Sequence, residues 1–165
     1  MKTLLMVRHA KSSWETPEID DLNRPIIENG INKTKKVIEY LKEKNILPDI
    51  IVSSHATRAL QTARLFAEGL SYTKEIEVNK NIYEADEKSI SDEVYALPNN
   101  ASVVMIIGHN PTITQLANVY LVRKSNFLPT SSVVSITFET DFWGEIDRSS
   151  KKVNFTALPK KLKQI

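Results

Sequence analysis

Three short, unbroken apolar runs constrain this chain more than any other feature: Leu4-Leu5-Met6-Val7, Ile50-Ile51-Val52 and Val103-Val104-Met105-Ile106-Ile107. Continuous rather than alternating apolar sequence is how strands covered on both faces read. Between the runs, apolar residues recur at helical spacing. Ile31, Thr34, Ile38 and Leu41 form one stripe, and Ala59, Ala63, Phe66, Ala67 and Leu70 a second. Ile90, Val94 and Leu97, closed by Pro98, give a shorter helix; Ile113, Leu116, Ala117, Tyr120 and Leu121 give another. Strand alternating with helix predicts βαβ units and a three-layer α/β/α fold with a mostly parallel central sheet. Further along, Val134, Ile136 and Phe138 alternate with polar residues, which predicts a less buried strand. A turn at Trp143-Gly144 and the run Val153-Asn154-Phe155 would add an antiparallel edge. With 165 residues and no linker-like stretch, one domain over 1–165 is expected.

In open α/β sheets, ligands bind beyond the carboxyl ends of the strands. Here every apolar run leads into a histidine, with an arginine beside or near two of them. The first ends in Arg8-His9, the second runs into Ser54-His55-Ala56-Thr57-Arg58, and the third into Gly108-His109-Asn110-Pro111. These are all three histidines of the chain. Arg58 falls in the first turn of the second predicted helix, where the helix dipole disfavours a cation. An anion held there by backbone N–H groups and guanidinium together would account for it. Asn110 is a good N-cap and Pro111 a good first helical residue, so a second helix start is expected directly after His109. Two arginines, two or three imidazoles and two helix N-termini describe a phosphate site.

Phosphoryl transfer needs positive charge around the equatorial oxygens and a nucleophile in line with the leaving group. Arginine supplies permanent bidentate donors, and neutral imidazole attacks phosphorus directly. Neighbouring guanidinium groups would keep that ring deprotonated. A metal mechanism would want carboxylates in ligand spacing with the histidines, and none of the three strand ends carries one. No metal or organic cofactor is expected. The absence of cysteine excludes a thiolate nucleophile and disulfides. A formal net charge of +2 is too small for a nucleic-acid footprint, and no apolar run is long enough to span a membrane. The expected location is cytoplasmic, and the basic tail from Lys160 reads as a solvated end. Residue by residue, the sequence reaches as far as an α/β enzyme that handles phosphate without a metal.

The motifs themselves go further. Arg8-His9-Ala10, the set Ser54, Arg58, Ala59, Thr62 and Ala63, and Gly108-His109-Asn110-Pro111 resemble the histidine phosphatase superfamily, the phosphoglycerate-mutase-like proteins. The longer string Arg8-His9-Ala10-Lys11-Ser12-Ser13-Trp14, with Asp21, Arg24-Pro25 and Gly30 after it, is similar to the short SixA-like branch of phosphohistidine phosphatases. The stretch 127–139 and Leu158-Pro159-Lys160 resemble that branch's ending. The resemblance implies that His9 is the nucleophile and that Arg8, Arg58 and His109 hold the phosphoryl oxygens. It further implies a phosphohistidine intermediate on the enzyme. Ala10 replaces the glycine of the wider superfamily, and His55 stands where proline is usual, as a partly exposed loop residue beside the pocket. Larger members use a glutamate as general acid between the second and third motifs. Glu84 is the matching candidate here, ahead of Asp86 and Glu87, although the SixA-like branch often has no clear equivalent.

Mutase members are longer, with inserted segments that enclose a small substrate. No such insertion separates these motifs, so an open site is expected, suited to a bulky substrate such as a phosphohistidine-bearing protein domain. Two alternatives stand beside this reading. One is a small-molecule phosphomonoesterase of the same superfamily; the other is a non-catalytic phosphate-binding regulatory domain.

Overall fold

The computed structural model describes residues 1–15 and 17–162. Its centre is one six-stranded sheet formed by β1 (Lys2–Arg8), β2 (Ile50–Ser53), β3 (Glu77–Val78), β4 (Val103–Gly108), β5 (Val133–Phe138) and β6 (Lys151–Ala157). The order across the sheet is β3-β2-β4-β1-β5-β6. The first four are mutually parallel; β5 runs antiparallel to β1, and β6 antiparallel to β5. The three apolar runs are thus its adjacent central strands.

Alternate residues of β1 enter opposite cores. Leu4 and Met6 pack with α3 (Glu87–Tyr95) and α4 (Thr112–Tyr120), through Ile90, Val94, Ile113, Leu116 and Ala117. Leu5 and Val7 pack with α1 (Glu28–Glu43) and α2 (Thr57–Gly69), through Val37, Ile38, Leu41, Ala63 and Phe66. The two helical pairs cover the two faces, giving the three-layer α/β/α fold that the alternation predicts.

Several expectations need correction. β5 is an interior strand rather than a half-exposed one, with Val133, Val134, Ser135, Ile136 and Phe138 all fully buried. Its polar residues are satisfied sideways: Ser135 Oγ accepts from Asn154 Nδ2, and Thr137 Oγ1 lies 2.9 Å from Thr3 Oγ1. Hydrogen-bonded hydroxyls therefore occupy positions that look solvent-facing in the sequence. The expected turn at Trp143-Gly144 is a 3-10 helix over Trp143–Arg148, with Trp143 buried and its indole N–H donating to the Ala101 carbonyl. The short edge strand β3 carries no apolar signal. α4 begins at Thr112, one residue later than expected, so Pro111 rather than Asn110 is its N-cap; Asn110, one residue before, accepts from the Thr114 N–H through Oδ1. Among the described residues no helix is long and apolar enough to cross a membrane.

Candidate active site

Strand register assembles the site. β1 pairs with β4 up to Arg8 opposite Gly108, so the next residue on each strand is a histidine. The His9 N–H donates to the Gly108 carbonyl, carrying the ladder one step beyond the strand. The two rings lie 5.1 Å apart, about one strand spacing. On the other side of β4, Ser53 pairs with Ile107, and the Ser54 N–H continues to the Ile107 carbonyl. That sets Ser54 Oγ 2.8 Å from His109 Nε2. α2 starts three residues later, and Arg58 in its first turn is buried, its Nε donating to His9 Nε2 over 3.4 Å.

The hydrogen bonds of His9 fix its tautomer. Its Nδ1 lies 2.7 Å from the Ala10 carbonyl, which only accepts, so Nδ1 carries the proton and Nε2 keeps its lone pair. The backbone beside it is clamped as well: the Ala10 N–H donates to Thr62 Oγ1, whose hydroxyl in turn donates to the Arg58 carbonyl. Ala10 itself is fully buried. Burial lowers the His9 pKa and the Ala10 bond opposes this; Arg58 and Arg8 add to the lowering, and the result is about 4. Burial also dominates at His109, reinforced by His9 and Arg58, and brings its pKa to about 3. Both rings are neutral at pH 7.

Two nitrogens at this place are buried without a hydrogen-bond partner among the described residues: Arg8 Nε and His109 Nδ1. Buried polar groups are normally satisfied, so such exceptions mark a strained or functional position. Arg8 is tethered through Nη1 to the Leu128 carbonyl, with its guanidinium 4.7 Å from the Phe127 ring centre.

The loop between β1 and α1 supplies what the sequence reading did not foresee. Asp21 Oδ1 accepts from Nε and Nη2 of Arg24, and Asp21 Oδ2 accepts from Arg58 Nη2 at 3.1 Å and from the Tyr83 hydroxyl. Arg58 Nη1 also donates to the Asp21 carbonyl, and Arg24 Nη1 to Ser12 Oγ. Burial would raise the Asp21 pKa, but the bonds from Tyr83, Arg24 and Arg58 outweigh it and bring the carboxyl to about 2. Asp21 is thus a permanent carboxylate that ties Arg58, Arg24 and Tyr83 together. The spacing of Asp21 and Arg24 was its only signal; contact with Arg58 depends on tertiary structure.

The structure brings Arg8, His9, Arg58 and His109 to one cavity of about 610 Å³. It does not bring Glu84 there. Glu84 is exposed and faces a different depression, beside Lys80, Asn81 and Glu93. The preceding residue takes the inward position instead: the Tyr83 ring packs edge-on against His109 at 5.5 Å and against His55 at 5.3 Å. Asp86 caps α3, accepting from the Ser89 N–H, and Glu87 is exposed in that helix's first turn. His55 is half-buried behind Tyr83 and does not line the cavity. Lys160 is exposed, as expected of a solvated tail, and also lines the cavity rim with Lys11 and Lys33. The rest of that tail, 163–165, lies outside the described residues. Among those residues, no group of three His, Asp or Glu side chains is arranged to hold a metal ion.

A family model of the histidine phosphatase superfamily (branch 1) matches residues 4–93, more than half of the chain and including His9, Arg58 and Tyr83. The chain belongs to the histidine phosphatase superfamily. A 2,3-bisphosphoglycerate-dependent phosphoglycerate mutase of Bifidobacterium longum is 39% identical over 64 residues, 38% of this chain and 26% of the mutase. The chain thus matches only about a quarter of that relative's length. Among solved structures, SixA-type folds superimpose over nearly the whole chain. A candidate phosphohistidine phosphatase SixA from Agrobacterium tumefaciens gives a TM-score of 0.81 at 21% identity, covering 96% of this chain and 98% of the other. The protein histidine phosphatase SixA complexed with tungstate gives 0.82 at 22% identity, covering 98% and 99%. At such identity these likenesses establish a shared histidine phosphatase fold.

Proposed function

We propose that this histidine phosphatase superfamily member is a metal-independent phosphatase in which His9 is transiently phosphorylated. The observation that carries the reading is the His9 tautomer. With Nδ1 committed to the Ala10 carbonyl and the pKa near 4, Nε2 presents an unprotonated lone pair at neutral pH. Arg58 and Arg8 would take the equatorial oxygens, and the unpartnered Nδ1 of His109 would give a further donor once an oxyanion arrives. In the first step the His9 Nε2–phosphorus bond forms as the bond to the leaving group breaks. In the second, water attacks phosphorus, releasing inorganic phosphate and restoring the ring. The protein histidine phosphatase SixA, which shares this fold, has been solved in complex with tungstate, a tetrahedral oxyanion, and this supports a phosphate ligand here.

The lining supports one substrate class over the other. Among the described residues, no aspartate or glutamate lines the cavity, and the one carboxylate behind it is held ionised by its partners. A departing alkoxide would need a proton donor; the imidazole of phosphohistidine needs less help. We therefore read the substrate as phosphohistidine on a protein, with nucleophile His9, phosphate ligands Arg8, Arg58 and His109, and no acid role for Glu84. Hydrolysis of nitrophenyl phosphate and of a phosphohistidine peptide in excess EDTA, run beside His9→Ala, tests this. Activity should survive EDTA and vanish with His9. Appreciable turnover by His9→Ala would remove the nucleophile assignment, and turnover of sugar phosphates but not of the peptide would favour a small-molecule phosphomonoesterase.

A further inference from the structure

The cavity is larger and more cationic than one phosphoryl group requires. Three arginines and three lysines line it, and among the described residues no carboxylate does. The arginines have work already: Arg58 and Arg24 share Asp21, and Arg8 is tethered to the Leu128 carbonyl. Lys11, Lys33 and Lys160 form no ion pair or side-chain hydrogen bond among the described residues.

Their convergence is built by the fold. At Gly30 a Cβ would lie 2.6 Å from the Lys11 carbonyl oxygen and 2.9 Å from its nitrogen, so α1 packs directly on the backbone of Lys11. The Ile27 N–H donates to the same carbonyl. Lys33, about one turn beyond Gly30, therefore rises beside Lys11. The 3-10 turn Pro159–Lys161, anchored by buried Pro159, packs on α1 and delivers Lys160 from the far end of the chain. Isolated surface ion pairs contribute little, but like charges gathered in one concavity concentrate the potential. Trp14, 77% exposed with Arg24 stacked 3.5 Å from its ring centre, and Phe127, 59% exposed, flank the opening.

We infer that Lys11, Lys33 and Lys160 form a second anion-binding sector of this cavity, which takes a second anionic group carried by the same substrate. The inference rests on the reading of Arg8, His9, Arg58 and His109 as the seat of the scissile phosphoryl group. The second group is either another phosphate or a carboxylate beside the phosphorylated residue, and the probes separate the two.

Affinities for non-hydrolysable alkylphosphonates, measured by calorimetry on the intact protein, avoid any dependence on turnover. Three probe sets of graded chain length are compared: simple alkylphosphonates, α,ω-bisphosphonates and ω-carboxyalkylphosphonates. At the best length, a second anionic group should tighten binding about tenfold or more, as expected for charge-assisted contacts. The triple variant Lys11→Gln/Lys33→Gln/Lys160→Gln should bring the ratio to the simple phosphonate close to one. A general loss of positive charge also weakens the more highly charged probe more, so the ratios are compared at high ionic strength, where that long-range part is screened. A gain larger in the bisphosphonates identifies a phosphate, and a gain larger in the carboxyalkyl series identifies a carboxylate. No gain in either series, or a gain that persists in the triple variant, overturns the inference. Failure of the simple alkylphosphonates to bind at all would instead count against the phosphoryl seat itself.

Discussion

His9 and His109 are neighbours across the sheet, similarly buried and both neutral, yet the protein holds them in opposite ways. His9 is fixed through Nδ1 by a backbone carbonyl one residue away, and among the described residues its Nε2 has a hydrogen bond only from Arg58. His109 is fixed through Nε2 by Ser54, whose Oγ already accepts from the Ala56 N–H and has its own proton to give. The other ring nitrogen of His109, Nδ1, is left without a partner among the described residues. One ring thus turns Nε2 toward Arg58, and the other leaves Nδ1 open. Position in the sheet makes them equivalent; the choice of anchored nitrogen sets them apart, as the proposed roles of nucleophile and phosphate ligand require.

Replacement should separate them most sharply. His9→Ala should remove turnover entirely, whereas His109→Ala should slow it about a hundredfold or more, as for other lost preorganised donors. A rapid-quench search for acid-labile phosphoenzyme should still find the intermediate in His109→Ala; its absence there, with presence in His9→Ala, would reverse the roles.

Protonation gives the next test. The folded pKa values of about 4 and 3 lie below the ordinary histidine value of 6.5, so the unfolded chain binds more protons below pH 6.5. Stability should therefore decline as pH falls from 6.5 through 4, and histidine Cε1–H resonances followed by NMR should show two rings that do not titrate near neutrality. A His9 midpoint close to 6.5 would contradict its burial beside the arginines.

Asp21→Asn tests the loop behind Arg58. It keeps the shape but removes the charge that ties Arg58, Arg24 and Tyr83, and should cost about tenfold in kcat/KM by loosening a preorganised donor. As a positioning residue, Asp21 should affect poor and good leaving groups equally; a loss confined to alkyl phosphates would make it an acid. The smallest effect belongs to Glu84→Gln, which should change turnover less than about twofold, as for an exposed residue away from the site. A large loss would mean that the segment after Tyr83 rearranges when substrate binds.

The strand ends were legible because each is a local pattern: an apolar run, then a cation or imidazole. The helices were legible by their period. The wrong parity at Tyr83-Glu84 has a different origin. In an irregular turn no period says which neighbour faces inward, and the large ring wins the place between His55 and His109. Asp21 was visible as part of a motif, but its contact with Arg58 is long-range and side chain to side chain. Ser54 and Thr62 likewise appeared as motif letters, and only the packed structure gives them tasks: orienting His109 and clamping the backbone after His9. Lys160 is solvated, as a basic chain end suggests, but its place at the cavity depends on the docking of its helical turn on α1, which no local pattern shows.

The pairing of Arg8 with Gly108 has a consequence for how this protein acquires its chemistry. The two strands are far apart in the chain, so their alignment is a non-local event, slow relative to forming the helices around it. A slip of one residue would turn every side chain of β1 to the other face, sending Leu4 and Met6 into the wrong core and His9 away from its partner ring. Such a chain would keep its helical content and be inert. Under the proposed mechanism turnover would therefore report sheet register, and its recovery during refolding would time the last long-range alignment rather than the first collapse.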